Sequence, residues 1–302
     1  MAAPFDRRNI DWVLACPLRP RSRRGAHELQ AAIAALKAER AGILTLEARE
    51  PGAVWLGGWD ERALEAHVTW ILAHMTEALD VGGPEAGYRE VIGRSAVVDH
   101  RRHDRTGGPR QLMLAVEPRG FPKGQSYETH IAVSGFSDET RRTIEAGVVK
   151  GLDSGAVADC PMIAVLVTVL ALDLGHPAAS GLVLEEALRV ALRDALWQAE
   201  PRLVEPIMAL QVTTPESFIG QVCGDLASRR SQLSDTDRRG GSVTISAEVP
   251  IANLYGYANS LRSLTEGRAT YVQRFSHYAQ VPGSPPPDDD PPPEAAAGAL
   301  KW

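Results

Sequence analysis

The sequence predicts an α+β protein with three consecutive domains. The chain has 302 residues, of which 44% are hydrophobic, and this is enough for two to three domains with sizeable cores. The C-terminal part repeats the order strand, helix, strand, and the N-terminal part shows the order strand, helix, strand, strand, helix. The segment between them places longer strands before two helices. We therefore expect domains over residues 10–87, 88–202 and 203–282, with an N-terminal arm at 1–9 and a disordered Pro/Asp-rich tail at 283–302.

The last domain is predicted from two similar halves. The first half has a strand over residues 206–214, a helix that begins after Thr214 and Pro215, and a short strand near 231–234. The second has an alternating strand over 243–249, a helix and a strand over 268–277. Two such halves form a split βαβ, or ferredoxin-like, domain.

Helical spacing of apolar residues identifies the buried faces of these two helices. The predicted stripes are Phe218, Ile219, Val222, Cys223 and Leu226 in the first helix, and Leu254, Ala258, Leu261 and Leu264 in the second. Gly220 and Gly224 lie one turn apart, so we expect them to let the first helix approach the sheet closely.

The N-terminal domain shows a comparable pattern and predicts a second ferredoxin-like sandwich. We expect strands over 10–18, 43–47 and 53–56, a helix over 27–40 that Gly42 ends, and a second helix capped by Asp60. The apolar stripe of the second helix is Leu64, Val68, Ile71, Leu72, Met75 and Leu79.

The middle domain differs in the order of its elements. Strands are predicted over 96–99, 111–117 and 127–133, and helices over 138–151 and 182–199. A continuous Val-rich apolar run over 162–172 predicts a strand that is buried on both faces.

Several short motifs carry a family resemblance. They are Glu205-Pro206-Ile207-Met208, Thr213-Thr214-Pro215-Glu216, Gly224-Asp225-Leu226, Ser228-Arg229-Arg230, Gly256-Tyr257-Ala258, Leu261-Arg262-Ser263 and Thr265-Glu266-Gly267-Arg268. In order and spacing they resemble the last domain of elongation factor G. Tyr88-Arg89-Glu90 resembles the start of that family's fourth domain, and the segment before it is similar to the third. The resemblance implies a middle domain with the fold of ribosomal protein S5 domain 2.

An arginine-rich segment joins the first two strands of the middle domain. Arginine binds phosphate oxygens bidentately, and a narrow loop can reach into folded RNA. The alternative is a solvated hairpin without a partner. By resemblance this segment is the family's tip loop, and its candidate RNA-binding residues are Arg101, Arg102, Arg105, Gly107, Gly108, Arg110 and Gln111.

A second loop, 173–180, follows the predicted buried strand. By resemblance, His176 and Ser180 correspond to a histidine and a serine of the family's tip, although a plain loop histidine is the alternative. His176, Ser180 and Asp173 could form a hydrolytic trio, but no Gly-x-Ser-x-Gly turn surrounds Ser180.

The last domain adds two arginine pairs as candidate phosphate contacts. Arg229 and Arg230 follow its first helix, and Arg238 and Arg239 lie in its β-hairpin. Arginine at a helix C-terminus also complements the helix dipole, and both roles are compatible.

Composition excludes several function classes. The net charge of −6 argues against a generally basic nucleic-acid-binding coat. Cys16, Cys160 and Cys223 are too scattered for a disulfide framework or a zinc site, so we expect small core residues there. The sequence has no apolar run of eighteen residues, so we expect no membrane span and a cytoplasmic protein.

The sequence has no Gly-x-x-x-x-Gly-Lys-Ser/Thr motif, so we expect no GTP binding or hydrolysis, no cofactor and no enzymatic activity. The resemblance implies a monomeric, ribosome-associated, elongation factor G-like protein without its own GTPase. It would bind ribosomal RNA of both subunits in the factor and A-site region. Two alternatives remain: a partner that acts in trans with a separate translational GTPase, and a degenerate fragment without activity.

Overall fold

The computed structural model describes residues 12–39, 44–46, 53–101, 108–120, 127–175 and 180–283. The predicted arm, almost all of the tail and the helix end at Gly42 lie outside these residues. Two compact units are formed, one centred on Tyr88–Val204 and the other on Asp11–Gly87 together with Glu205–Ala279. The first and last predicted domains therefore belong to the same unit.

The N-terminal part of the second unit is a ferredoxin-like sandwich, as predicted. Its elements are β1 Leu14–Pro20, α1 Arg23–Glu39, β2 Leu44–Leu46, β3 Val54–Gly58, α2 Glu61–Ala73, β4 Leu79–Val81 and a two-residue β5, Glu85–Ala86. The antiparallel sheet has the order β2-β3-β1-β4, and β5 pairs with β1. Asp60 caps α2, because its side chain accepts a hydrogen bond from the Ala63 N–H at 2.7 Å.

The first unit, which we call the middle unit because it holds the middle domain, has a four-stranded sheet, two helices and a separate strand at Arg89–Ile92. Its elements are β6 Arg89–Ile92, β7 Ala96–Arg101, β8 Gln111–Pro118, β9 Tyr127–Ile131, α3 Asp138–Ser154, β10 Val165–Asp173 and α4 Gly181–Gln198. The sheet order is β7-β8-β10-β9, in which only β9 and β10 are parallel. Both helices pack against one apolar cluster that includes Leu114, Val167, Val148 and Leu188.

The last part of the chain has the predicted order of elements. These are β11 Pro201–Pro215, α5 Ile219–Ser228, β12 Gln232–Arg239, β13 Ser242–Pro250, α6 Tyr257–Leu264 and β14 Thr270–Gln280, with 3-10 turns at Glu216–Phe218 and Ile251–Leu254. The sheet order is β12-β13-β11-β14, the same ferredoxin-like arrangement as in the N-terminal part. Residues 201–204 of β11 belong to the first unit, where they pair with β6.

The two ferredoxin-like parts of the second unit share one hydrophobic core. Leu14 and Ile71 from the first part belong to the same buried cluster as Leu210 and Ile245 from the second. At the edge of this core the Glu61 carboxylate accepts a hydrogen bond from the Gly256 N–H at 3.1 Å. The Trp59 and Phe275 rings lie 5.8 Å apart.

Some local predictions are wrong. Gly220 and Gly224 are exposed, with nothing within 4 Å of a Cβ placed on either, so they do not serve close packing of α5 on the sheet. Leu79 lies in β4 rather than in the second helix. The strand β10 is not buried on both faces along its whole length, because Leu166 is half-buried and Leu170 is 38% exposed.

Other differences concern element ends and the cysteines. The strand predicted near 231–234 extends to Arg239, and Leu254 lies in a 3-10 turn before α6. Cys16 is buried, and burial raises the pKa of its thiol to about 11, whereas Cys160 and Cys223 are half-buried.

A buried carboxylate organises one end of the middle unit. Glu90 is 0% exposed. It accepts hydrogen bonds from the backbone N–H groups of Ala156 at 2.7 Å, Val157 at 3.1 Å, Ala158 at 2.9 Å and Cys160 at 3.2 Å. The carboxylate thereby satisfies the loop that follows α3 and compensates for its own burial.

We expect Glu90→Gln to destabilise the middle unit by about 3 kcal/mol, because an amide cannot accept on both sides and leaves buried donors unsatisfied. Urea denaturation of the full chain measures this change. Glu128→Gln on the exposed edge strand β9 is the matched control, with a change within about 0.5 kcal/mol. Equal effects of the two variants would contradict the assigned role of Glu90.

A second carboxylate joins α1 to the turn that follows α2 in the N-terminal part. Glu28 of α1 accepts hydrogen bonds from the Thr76 hydroxyl at 2.7 Å, the Thr76 N–H at 2.9 Å and the Glu77 N–H at 3.0 Å. The Thr76 hydroxyl, these backbone donors and Arg24 lower the pKa of Glu28 to about 2.

Because the pKa of Glu28 is lower in the folded state, its contribution to stability is present above its ordinary pKa of 4.5. That contribution is lost as the pH falls toward about 2. We expect Glu28→Gln to lower the free energy of unfolding at neutral pH, and the difference from wild type to shrink between pH 4.5 and about 2. Urea titrations at several pH values measure it, with Glu39→Gln as the control in the same helix. A difference that is constant with pH would contradict the expected role of Glu28.

Candidate nucleic-acid interface

The two predicted loops leave the same end of the middle sheet. Arg101, at the end of β7, lies opposite Gln111, at the start of β8. Gln111 also lies opposite Asp173, at the end of β10. The strand register therefore brings the described parts of both loops to the same end of the sheet, where these three strands begin or finish. We call this the open end.

The structure describes five of the predicted RNA-binding residues of these two loops, namely Arg101, Gly108, Arg110, Gln111 and Ser180. The other four lie outside the described residues: Arg102, Arg105, Gly107 and His176.

Arg101 belongs to a polar row on the face of the sheet away from the helices. Val98 is buried, and His100 Nε2 lies 3.0 Å from Asp194 Oδ2 of α4, so the alternation of a strand places Asp99 and Arg101 on the other face. Asp99 Oδ2 accepts from Arg101 Nε at 2.8 Å, and Asp99 Oδ1 accepts from Gln111 Nε2 at 3.0 Å. These two donors, the Gln111 amide first, lower the pKa of Asp99.

Arg110 is positioned by the second loop. Its N–H donates to the Asp173 carbonyl at 2.6 Å, and Asp173 Oδ1 accepts from the Gly175 N–H at 2.9 Å. Gly175 has a φ of 74°, and a Cβ there would lie 3.3 Å from Arg110 Cγ. The alkyl stem of Arg110 therefore lies over a position where the backbone and the available space both favour glycine.

Ser180 has a clear structural role. It is the N-cap of α4, and its hydroxyl accepts from the Val183 N–H at 3.4 Å. The following Leu182 is 82% exposed, so the first turn of α4 presents an apolar side chain to solvent beside the second loop.

Arg229 is engaged inside the last domain. Its guanidinium donates to Asp225 at 2.9 Å, to the Asn253 carbonyl at 2.7 Å and to the Ser260 hydroxyl at 3.0 Å. It also lies 5.1 Å from the centre of the Tyr257 ring, and its side chain is 16% exposed. These contacts favour a structural role over binding of an external phosphate.

Arg230 pairs with a buried carboxylate. Its Nη2 lies 2.5 Å from Oε1 of Glu205, which is 3% exposed, whereas Arg230 itself is 45% exposed. This ion pair connects two of the sequence motifs, those that contain Glu205 and Arg230, and stabilises the domain.

The other arginine pair is exposed. Arg238 and Arg239 end β12, an edge strand in which all eight residues are exposed. The Arg239 side chain is 86% exposed and contacts Asp237 at 2.8 Å. This pair is accessible to a polyanion.

Two residues of the open end, Asp99 and Gly175, were missed by sequence reasoning. A signal was present for Asp99, which lies two positions before Arg101 and hence on the same face of the strand. For Gly175 the signal was its position two residues after Asp173, a spacing that is typical of a turn.

Within the described ranges, no group of three His, Cys, Asp or Glu side chains is placed to hold a metal ion. None of the helices in that part of the chain is long and apolar enough to cross a membrane.

The two arginine pairs should respond differently to substitution. We expect Arg230→Ala to lower the stability of the last domain by about 2 kcal/mol, because it leaves the buried Glu205 without its cation. Arg229→Ala should also destabilise, whereas Arg238→Ala and Arg239→Ala should change stability by less than about 0.5 kcal/mol. Urea denaturation measures all four variants, and similar losses in both pairs would contradict this division.

Known proteins resemble the chain over most of its length. The model of elongation factor G domain IV matches residues 84–200, and that of the elongation factor G C-terminus matches residues 202–288. A curated relative, elongation factor G of Rhodopseudomonas palustris (strain BisB18), is 34% identical over 275 residues. That match covers 90% of this chain and 40% of the relative.

A solved structure agrees with the fold. A crystal structure of a protein from Thermus thermophilus superposes with a TM-score of 0.66 at 26% identity, over 89% of this chain and 41% of the other. The chain thus spans about 40% of the length of each of these two proteins. Both domain matches, the curated relative and the shared α+β fold lead to the same conclusion: the chain belongs to the elongation factor G family.

Proposed function

We propose that this protein associates with the ribosome and contacts ribosomal RNA through the open end of its middle domain. The observation that carries the proposal is the strand register, which brings the starts of two loops to the same end of the sheet. One of these loops is rich in arginine.

The described side chains at this end suit a phosphate backbone. Arg101 and Arg110 are both exposed, and arginine supplies fork-shaped donors for phosphate oxygens. The net charge of the chain is −6, so a polyanion is repelled by the molecule as a whole. A local concentration of arginines therefore favours one orientation of approach.

The exposed hairpin end of the last domain supplies a second candidate contact. Arg238 and Arg239 offer cations without a stability role, whereas Arg229 and Arg230 have internal partners. Membership of the elongation factor G family supports a ribosomal partner for both surfaces, in the cytoplasm, where translation takes place.

The test is co-sedimentation with purified bacterial ribosomes across a salt series. In the double variant Arg101→Ala/Arg110→Ala we expect weaker binding, with the slope of log affinity against log salt reduced by up to about 1.4. This follows from roughly 0.7 for each lost contact with irregular RNA. Thermal unfolding should change little, because both side chains are exposed.

The matched control is Arg94→Ala/Arg119→Ala, which removes the same charge from two exposed arginines at the opposite end of the sheet, just before β7 and just after β8. Its slope should stay close to that of wild type. Equal loss in both double variants would indicate general electrostatic attraction and overturn the proposed interface. Binding that requires an added translational GTPase would favour the in-trans partner instead.

A further inference from the structure

A row of three side chains crosses the two strands at the base of the open end. Arg101 and Gln111 lie directly opposite each other, and Asp99 precedes Arg101 on the same face of β7. Both oxygens of the Asp99 carboxylate are used, one by Arg101 at 2.8 Å and the other by Gln111 at 3.0 Å. One acid thus fixes two different donors.

The exposed fractions show that this row faces solvent. The Arg101 side chain is 64% exposed, whereas that of Asp99 is 28% exposed. The acid lies lower on the sheet surface, with the guanidinium above it. A carboxylate in this place holds an arginine side chain that would otherwise sample many rotamers.

We infer that Asp99 is a positioning residue for the RNA contact, which orients the Arg101 guanidinium and the Gln111 amide toward one phosphate group. This inference rests on the proposed function and names a residue on which the affinity of the protein for ribosomal RNA depends.

The donor inventory supports this arrangement. Asp99 accepts from Arg101 Nε, and the two terminal nitrogens of the guanidinium carry four further N–H bonds. The Gln111 amide nitrogen donates one hydrogen to Asp99 and carries a second. The remaining donors belong to neighbouring side chains of fixed orientation, which is the geometry that a phosphate with several acceptor oxygens requires.

In the alternative, Asp99 does not position its neighbours and acts on the RNA only through its negative charge. The two roles predict opposite signs for Asp99→Asn. Removal of a negative charge beside a polyanion strengthens binding if charge alone matters. If Asp99 positions the row, binding weakens, because an asparagine offers one acceptor oxygen and turns its NH2 group toward one of the two donors.

The experiment measures co-sedimentation of the full chain with purified bacterial ribosomes at fixed salt. We expect Asp99→Asn to weaken binding roughly fivefold to tenfold, as for loss of one well-oriented charge-assisted contact. Glu117→Gln is the matched control, since it removes an exposed acid near the other end of β8 and should leave affinity equal or higher.

A double-mutant cycle provides the second measurement. In the Arg101→Ala background the effect of Asp99→Asn should become much smaller, because its main partner is gone. An unchanged penalty in that background would show that Asp99 does not act through Arg101.

The outcomes separate the inference from the proposed function. If Arg101→Ala/Arg110→Ala binds like wild type, the proposed interface is wrong. If that variant binds weakly while Asp99→Asn binds as tightly as Glu117→Gln, the interface stands and the positioning role of Asp99 is overturned.

Discussion

The register of β8 against its two neighbours is the constraint on which the arrangement of the open end depends. Gln111 pairs with Arg101 on one side and with Asp173 on the other. Side chains alternate between the faces of a strand, so a shift by one residue would turn the whole row toward the helices. Burial of Leu112, Leu114 and Val116 under those helices prevents such a shift. The core therefore fixes the polar surface that carries the proposed function.

The arginines of this chain show that charge alone does not identify a binding surface. Arg229 and Arg230 form a pair in sequence as Arg238 and Arg239 do, and all four are candidate phosphate contacts from the sequence. In the structure the first pair satisfies acids and carbonyls of its own domain, while the second lies on an exposed edge strand. The difference arises from tertiary neighbours such as Glu205, which is distant in sequence.

The order of elements could be predicted from the sequence because apolar periodicity is a local property. Most elements of both ferredoxin-like parts and of the middle domain follow from it, whereas the short strands β4 and β6 were not predicted. Burial of particular residues was less predictable. Gly220 and Gly224 are spaced like packing glycines but lie on the exposed side of α5, and Leu170 of the apolar strand β10 is exposed. Such outcomes depend on which face a neighbouring element covers, and a local pattern does not contain that information.

The shared core of the second unit has a consequence for synthesis of the chain. Residues 11–87 are made before residues 205–279, which complete their buried cluster and follow the whole middle domain in the chain. The early part of the chain therefore leaves the ribosome with apolar side chains such as Leu14 and Ile71 in an unfinished core. Contacts between such distant segments form slowly, and exposed apolar surface promotes aggregation in the interval. Expression of this protein should accordingly benefit from slower synthesis at lower temperature or from additional chaperone.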